Sequence, residues 1–306
     1  MTIYIIGAGA IGKTLAVCLT QHGRDVHLIR GRVDDGSSYS EKITLKLKSG
    51  QVLTTDIRFN YLCNFSDLNN GLVVLTNKSF GNKELAKKLK SKAINSPIVI
   101  LQNGLGIEKT FIDNNFQEIY RCVLFATSQN VSKSEVNYKP VAVSPIGVVQ
   151  NHNSVLASIV KEINTPDFKF VAEDNIDKII WKKAIANCVF NSICPLLEVD
   201  NGIFHRNEKV FNLANRIIKE CLLVANNNGG INLGVKEIEE QVIAISKMSD
   251  GQLISTLQDI QNKRETEIDT LNLEIFRLAK KMNLEAQVKE TKLLGELVKL
   301  KSELSR

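Results

Sequence analysis

The chain has 306 residues, of which 43% are hydrophobic and 24% charged, with 39 basic and 33 acidic side chains and a net charge of +6. The length predicts about two domains of roughly 150 residues each, and the balance is that of a soluble globular protein. Only 5 prolines and 18 glycines exclude collagen-like and proline-rich chains. No apolar run is long enough to cross a bilayer, so no membrane partner is expected. An aromatic fraction of 6%, with no basic run interleaved with aromatics, argues against nucleic acid. The mild positive excess suits a small anionic ligand.

The first predicted strand, residues 3–6, starts almost at once, without a basic leader or a small-residue cleavage site, so no secretory signal is expected. Gly7-Ala8-Gly9-Ala10-Ile11-Gly12 follows, a G-x-G-x-x-G that opens a helix over residues 11–22 and leads to a second strand over 25–29. Alone the glycine pattern is weak, but a strand, glycine turn, helix and strand of this size form a dinucleotide-binding βαβ unit. Gly7 permits the tight turn, Gly9 lets backbone approach a pyrophosphate, and Gly12 lets helix and strand pack closely. The helix start supplies unpaired N–H groups and the positive end of the helix dipole. A tight turn with no ligand is the competing reading.

About 20 residues beyond the loop, a site for NAD places an acidic side chain on the ribose 2′-hydroxyl. Arg30 stands there instead, followed by Gly31 and Arg32. A guanidinium matches a 2′-phosphate in charge and geometry, which favours NADP(H). Asp34 and Asp35 come slightly late and weigh against that preference, and Arg32 reads equally well as a solvated loop charge.

Residues 43–59, rich in threonine and alternating in polarity, predict a small antiparallel insertion. Further strands are expected at 72–75, 98–101 and 122–126, with a helix over 83–94. Strands separated by helices imply a parallel sheet covered on both faces. Ligands bind such sheets beyond the carboxyl ends of the strands. Thr76-Asn77-Lys78-Ser79 and Gln102-Asn103-Gly104-Leu105-Gly106 occupy two such ends. Asn103 offers an amide donor and acceptor to a nicotinamide. Lys78 either supplies charge to an anionic substrate or is a surface lysine.

The character changes after a last strand at 168–171. Long 3.6-residue periodicity predicts helices over 175–194, 208–227, 235–247, 256–282 and 285–304. The expected division is an α/β domain, residues 1–172, followed by an all-helical domain, residues 173–306. The long C-terminal helices offer surface for a homodimer.

Lys183, Asn187 and Asn191 are four apart on the first of these helices, so they form one polar stripe among Ile180, Ala184, Ile185, Val189 and Phe190. Such a stripe is costly if buried and unpaired, and is explained if it lines a polar cleft. An exposed helix face is the alternative, made less attractive by two poorly helix-forming asparagines. Ser255 with Gln258 reads as a capping box, and Glu267 reads as an ion-pair partner of Lys263 four residues earlier. The six cysteines, without any C-x-x-C, read as buried free thiols of a reducing cytoplasm. No histidine has an obvious nucleophile or metal cluster beside it.

Over essentially its full length the chain resembles the 2-dehydropantoate 2-reductase (ketopantoate reductase) family. The resemblance rests on the glycine loop, the Lys78 segment, Leu101-Gln102-Asn103-Gly104, the Trp181-x-Lys183-x3-Asn187-Cys188-x2-Asn191 helix, and Ser255-x2-Gln258-Asp259 leading to Thr266-Glu267-Ile268-Asp269. Ala286 departs from it where the family often has proline. The resemblance implies a Rossmann-type domain, a helical domain, catalysis between them, and NADPH-dependent reduction of 2-dehydropantoate to (R)-pantoate in pantothenate biosynthesis. It implies Lys183 as general acid, and Glu267 as its partner and a substrate anchor that also serves the cofactor. It implies Asn103 as a positioner of cofactor and substrate, Asn187, Asn191 and Ser255 as substrate contacts, and Lys78 as a cofactor-side lysine. For Glu267 and Ser255 it reverses the reading from spacing alone. A reductase of another branched 2-keto acid and a non-catalytic dinucleotide sensor are the alternatives.

Overall fold

A computed structural model describes residues 1–31, 35–150 and 155–306. Arg32 and Asp34 lie outside the described residues. The chain divides into two compact units. One comprises Met1–Gln102 and Ile107–Ile176, the other Asn103–Gly106 and Asp177–Arg306.

The first unit runs β1 (Ile3–Ile6), α1 (Ala10–Gln21), β2 (Val26–Arg30), β3 (Tyr39–Leu47), β4 (Val52–Tyr61), β5 (Leu72–Leu75), α2 (Asn82–Lys90) and β6 (Ile98–Ile100). It continues with α3 (Lys109–Ile112), β7 (Ile119–Cys122), β8 (Ala126–Asn130), β9 (Glu135–Pro140), β10 (Ser144–Gln150), α4 (Leu156–Ile163) and β11 (Phe170–Ala172). The strands form one sheet in the order β11-β10-β7-β6-β5-β1-β2-β4-β3-β9-β8. From β4 to β7 every pairing is parallel. The order β4-β2-β1-β5-β6-β7 is that of a Rossmann sheet, and its direction of winding reverses between β1 and β5.

The near-continuous apolar strands follow from two covered faces. Because side chains alternate, Ile3, Ile5, Leu72, Val74 and Val99 pack with Leu15, Val17 and Leu19 of α1. Ile6, Val73, Leu75, Ile98 and Ile100 pack on the other face with Ala86 and Leu89 of α2 and Phe111 of α3. α1 is buried at every position from Gly12 to Leu19, because it packs against β2, β4, β8 and β9 as well as the central strands.

Two sequence expectations change here, and two strands were not foreseen. The 43–59 segment is the antiparallel β3–β4 hairpin, but β4 is more than an insertion, since Phe59, Asn60 and Tyr61 pair in parallel with Leu28, Ile29 and Arg30. The predicted strand at 122–126 is the break between β7 and β8. β8, Ala-Thr-Ser-Gln-Asn, gave no apolar alternation to read, and β9 only the short one of Val136 and Tyr138, both buried in the core.

The second unit is built from α5 (Ile176–Leu197), α6 (Ile203–Arg206), α7 (Glu208–Asn227), α8 (Val235–Met248), α9 (Ser255–Gln261), α10 (Asn272–Lys281) and α11 (Lys289–Leu304). Asn207 caps α7 by accepting from the Val210 N–H. The single helix expected over 256–282 is broken. α9 ends at Gln261, Lys263 takes a left-handed φ of 54°, and a 3-10 turn over Ile268–Thr270 precedes α10. Five cysteines are buried as expected, and burial pushes the Cys18 and Cys194 thiols up to about 12. Cys63 is exposed, contrary to expectation. Among the described residues no helix is long and apolar enough to cross a membrane.

Candidate functional site

Gly7 ends β1 with φ +121°, a conformation suited to glycine, and a Cβ there would meet the Asn77 backbone nitrogen at 2.4 Å. A Cβ on Gly12 would stand 1.9 Å from the Gly7 carbonyl oxygen. These two glycines therefore serve close packing. Gly9 differs: a Cβ there would meet nothing within 4 Å. It precedes α1 with an ordinary extended backbone and no side-chain cap, and Ala10 and Ile11 form the first turn. Gly9 and Ala8 thus border open space beside a helix start with no acidic residue in its first turn, a cradle fit for a pyrophosphate. Thr76 braces this turn from β5, its hydroxyl donating to the Gly7 carbonyl at 2.8 Å.

Arg30 closes β2. Its guanidinium donates to the Tyr61 hydroxyl at 3.2 Å and stands 5.8 Å from the centre of that ring. The same nitrogen reaches the Tyr39 hydroxyl at 3.5 Å, and the guanidinium's remaining donors suit a phosphate. Asp35 is turned into its own loop, where its carboxylate accepts from the Ser37 N–H and hydroxyl, and these bonds hold it below the usual carboxylate range.

Lys78 is half-buried and precedes a 3-10 turn over Ser79–Gly81. The helix that follows this turn begins with one half of a buried amide pair. Asn82 and Gln102 exchange two hydrogen bonds, each of 2.8 Å, and Asn82 also donates to the Ile107 carbonyl. Asn77 donates to the Lys78 carbonyl. The strand-end segments after β5 and β6 are thereby tied together.

In the second unit α5 is apolar on most faces, with Trp181, Ala184, Ile185, Cys188 and Val189 buried. The polar stripe sinks along its length, from half-buried Lys183 and Asn187 to Asn191, which is only 3% exposed. Asn191 is satisfied by α9: its Oδ1 accepts from the Thr256 hydroxyl at 2.7 Å and more weakly from Ser255 at 3.5 Å. The capping box does not form. Ser255 is the first residue of α9, Ile254 precedes it without a side-chain cap, and Gln258 instead donates to the Leu253 carbonyl. Asn272 is fully buried and donates to the Cys188 carbonyl, which ties α10 to α5.

Asn103 begins the short segment that belongs to this second unit. Leu105 donates to the Thr270 carbonyl at 2.8 Å, and Gly104, at φ +115°, would drive a Cβ to 2.4 Å from the Thr270 hydroxyl. Thr270 in turn donates to the Glu267 carbonyl through both its N–H and hydroxyl. The Asn103 segment and the half-buried Glu267 are thus fixed to one turn. The helical pairing of Glu267 with Lys263 is excluded as a geometry, because no helix runs from 263 to 267.

A profile of the family Ketopantoate reductase PanE/ApbA matches residues 3–148, and its companion, Ketopantoate reductase PanE/ApbA C terminal, matches residues 175–302. The 2-dehydropantoate 2-reductase of Pyrococcus abyssi is 30% identical over 99% of both chains. The chain belongs to the ketopantoate reductase PanE/ApbA family. Its members are oxidoreductases with an N-terminal α/β domain and an all-helical C-terminal domain. The fold is shared with a dimeric ketopantoate reductase from Staphylococcus aureus (19% identity, TM-score 0.82, both chains covered completely). It is shared equally with a D-mandelate dehydrogenase in a ternary structure with NADH and anilino(oxo)acetate (22% identity, TM-score 0.82, covering 100% of this chain and 99% of that one).

The sequence placed Thr76 only as part of a strand-end segment and gave no role to Thr256, Thr270 or Asn272, because each touches a residue distant in the chain. Only a polar residue recurring beside each named motif could have pointed to them.

Proposed function

We propose that the protein reduces 2-dehydropantoate to (R)-pantoate with NADPH in the cytoplasm, as a step of pantothenate biosynthesis. The observation that carries this reading is the α5 stripe: a half-buried ammonium followed by two amides, the deeper one locked by Thr256, in a chain of this family. The nucleotide supplies a hydride. The groups proposed to hold it are Gly7 to Gly12, with backbone N–H groups for the pyrophosphate, and Arg30 for the 2′-phosphate. Lys78 adds positive charge, and Asn103 orients the reacting end.

Reduction of a ketone develops negative charge on its oxygen. Lys183 is the proposed acid, its ammonium stabilising that charge and donating the proton. Glu267 is proposed to orient Lys183, to accept from a substrate hydroxyl and to serve the cofactor as well. Asn187, Asn191 and Ser255 recognise hydroxyl and carboxylate without adding charge.

The D-mandelate dehydrogenase with the same fold favours a second reading, a reductase of another 2-keto acid. The test is oxidation of NADPH and NADH by the purified protein with 2-dehydropantoate, benzoylformate and aliphatic branched 2-keto acids. Turnover with 2-dehydropantoate and NADPH at least ~100-fold above the others is expected, because a site built to hydrogen-bond the substrate hydroxyl rejects keto acids that lack it. Preference for another keto acid moves the function to the second reading, and cofactor binding without any turnover makes the protein a sensor.

A further inference from the structure

The turn that carries Glu267 is gripped from α10 by a single guanidinium. Arg277 donates through one nitrogen to the Asp269 carbonyl at 2.7 Å and to Glu274 Oε2 at 2.8 Å. Through the other it donates to Asp269 Oδ1 at 2.8 Å. Lys299 of α11 holds the same carboxylate, at 3.1 Å from Oδ1 and 3.0 Å from Oδ2. Both groups that Arg277 joins lead to the candidate site. Asp269 lies in the Ile268–Thr270 turn, two residues after Glu267, and Thr270 of that turn bonds the Glu267 carbonyl. Glu274 borders the end of the Asn103 segment, since a Cβ on Gly106 would stand 3.3 Å from its Oε1. That segment is thus bordered by Thr270, whose carbonyl accepts from Leu105, and by Glu274, and Arg277 ties the two borders together.

We propose that Arg277 is a positioning residue for the reaction. It sets the register of the Glu267 turn against the Asn103 segment, and so the aim of both side chains at the reacting groups. The inference rests on the roles proposed above for Glu267 and Asn103. Arg277 acts only through Asp269 and Glu274. An isolated exposed ion pair contributes little, but a planar fork that takes a backbone carbonyl and two carboxylates fixes a geometry. Without the guanidinium the Asp269 and Glu274 carboxylates are left side by side as like charges, and Lys299 alone holds Asp269. The effect therefore falls on kcat. A reacting group misplaced by about 1 Å can cost about 10²-fold in rate, whereas a half-exposed ion-pair network adds little to stability.

Steady-state kinetics and amide hydrogen exchange of the full chain test this. Arg277→Ala is expected to lower kcat for the preferred keto acid by about 10–100-fold, with the NADPH dissociation constant within about threefold of the parent's and the melting temperature within about 4 °C. Arg277→Lys keeps the charge but not the fork, and its kcat is expected to fall between the two. Arg216→Ala, which removes an exposed arginine paired with Glu290, is expected to leave kcat unchanged. In Arg277→Ala the amide protons of Leu105 and Thr270, both bonded at this turn, are expected to exchange at least ~10-fold faster, because local opening becomes easier. A kcat within about threefold of the parent's, or a rise in KM alone, overturns the proposal. Unchanged exchange at Leu105 and Thr270 overturns it too, as does an equal loss of kcat in Arg216→Ala. A parent chain that turns over no keto acid overturns the proposed function instead, and exchange, which needs no turnover, still decides whether Arg277 holds the turn.

Discussion

Replacing Gly12 by alanine tests whether close packing around the glycine loop, and not only its flexibility, makes the nucleotide cradle. The added methyl would stand 1.9 Å from the Gly7 carbonyl oxygen and 2.8 Å from the Thr76 hydroxyl. The nearer atom is backbone, so helix α1 and the Gly7 turn must separate. Overpacking of this kind costs about 1–3 kcal/mol, and the displaced Thr76–Gly7 hydrogen bond adds about 1 kcal/mol. Destabilisation of roughly 2–4 kcal/mol is expected. Nucleotide affinity should fall by at least about tenfold, since a pyrophosphate site depends on N–H groups in a set geometry. Gly9→Ala is the control. Its backbone is ordinary and its Cβ meets nothing within 4 Å, so the melting temperature should stay within about 2 °C of the parent's. Affinity should still fall, because the methyl occupies the open space beside the helix start. Thermal unfolding and quenching of NADPH fluorescence read the two effects apart. A Gly12→Ala protein as stable as the parent, or a Gly9→Ala protein that binds NADPH equally well, would refute the assignment of these roles.

Lys183→Ala should lower kcat by about 10²–10⁴-fold while NADPH affinity changes by less than about threefold; turnover near the parent's would remove Lys183 from the acid role. Thr256→Val keeps the volume but removes the 2.7 Å bond to buried Asn191, at a cost of about 1–3 kcal/mol. It should raise the KM for the keto acid and lower the melting temperature more than Ser255→Ala lowers it, and an unchanged KM and melting point would show that Asn191 is not held in this way. Asp200 accepts from Arg206 and from the Gly202 and Gly251 N–H groups, which hold its carboxyl at about 2 against an ordinary 3.8. Its contribution is therefore full above pH 3.8 and is lost as the pH falls toward about 2. Asp200→Asn should melt below the parent at pH 7, with the gap closing across that acid window; a gap independent of pH would rule the linkage out.

Much of this protein was legible in one dimension, because the deciding interactions there are local. Short continuous apolar runs such as Leu72–Leu75 fit strands covered on both faces, and Gly7, Gly9 and Gly12 sit at the strand-to-helix turn that needs them. The four-residue spacing of Lys183, Asn187 and Asn191 places them on one face of α5 whatever surrounds the helix. Where reading failed, a distant partner or a local break decided. β8 is a polar strand and β9 has only Val136 and Tyr138 to mark it; pairing with β3 at the sheet's edge recruits them. The expected helix over 256–282 breaks at left-handed Lys263, and that break carries Glu267 off any helical pairing and onto the turn that also holds the Asn103 segment. Asn191 is claimed by Thr256, 65 residues later, and the Gly7 turn by Thr76, 69 residues later. Periodicity along a chain reports which face a residue occupies. Which polar atom satisfies it is settled only when burial brings the second segment within hydrogen-bond reach.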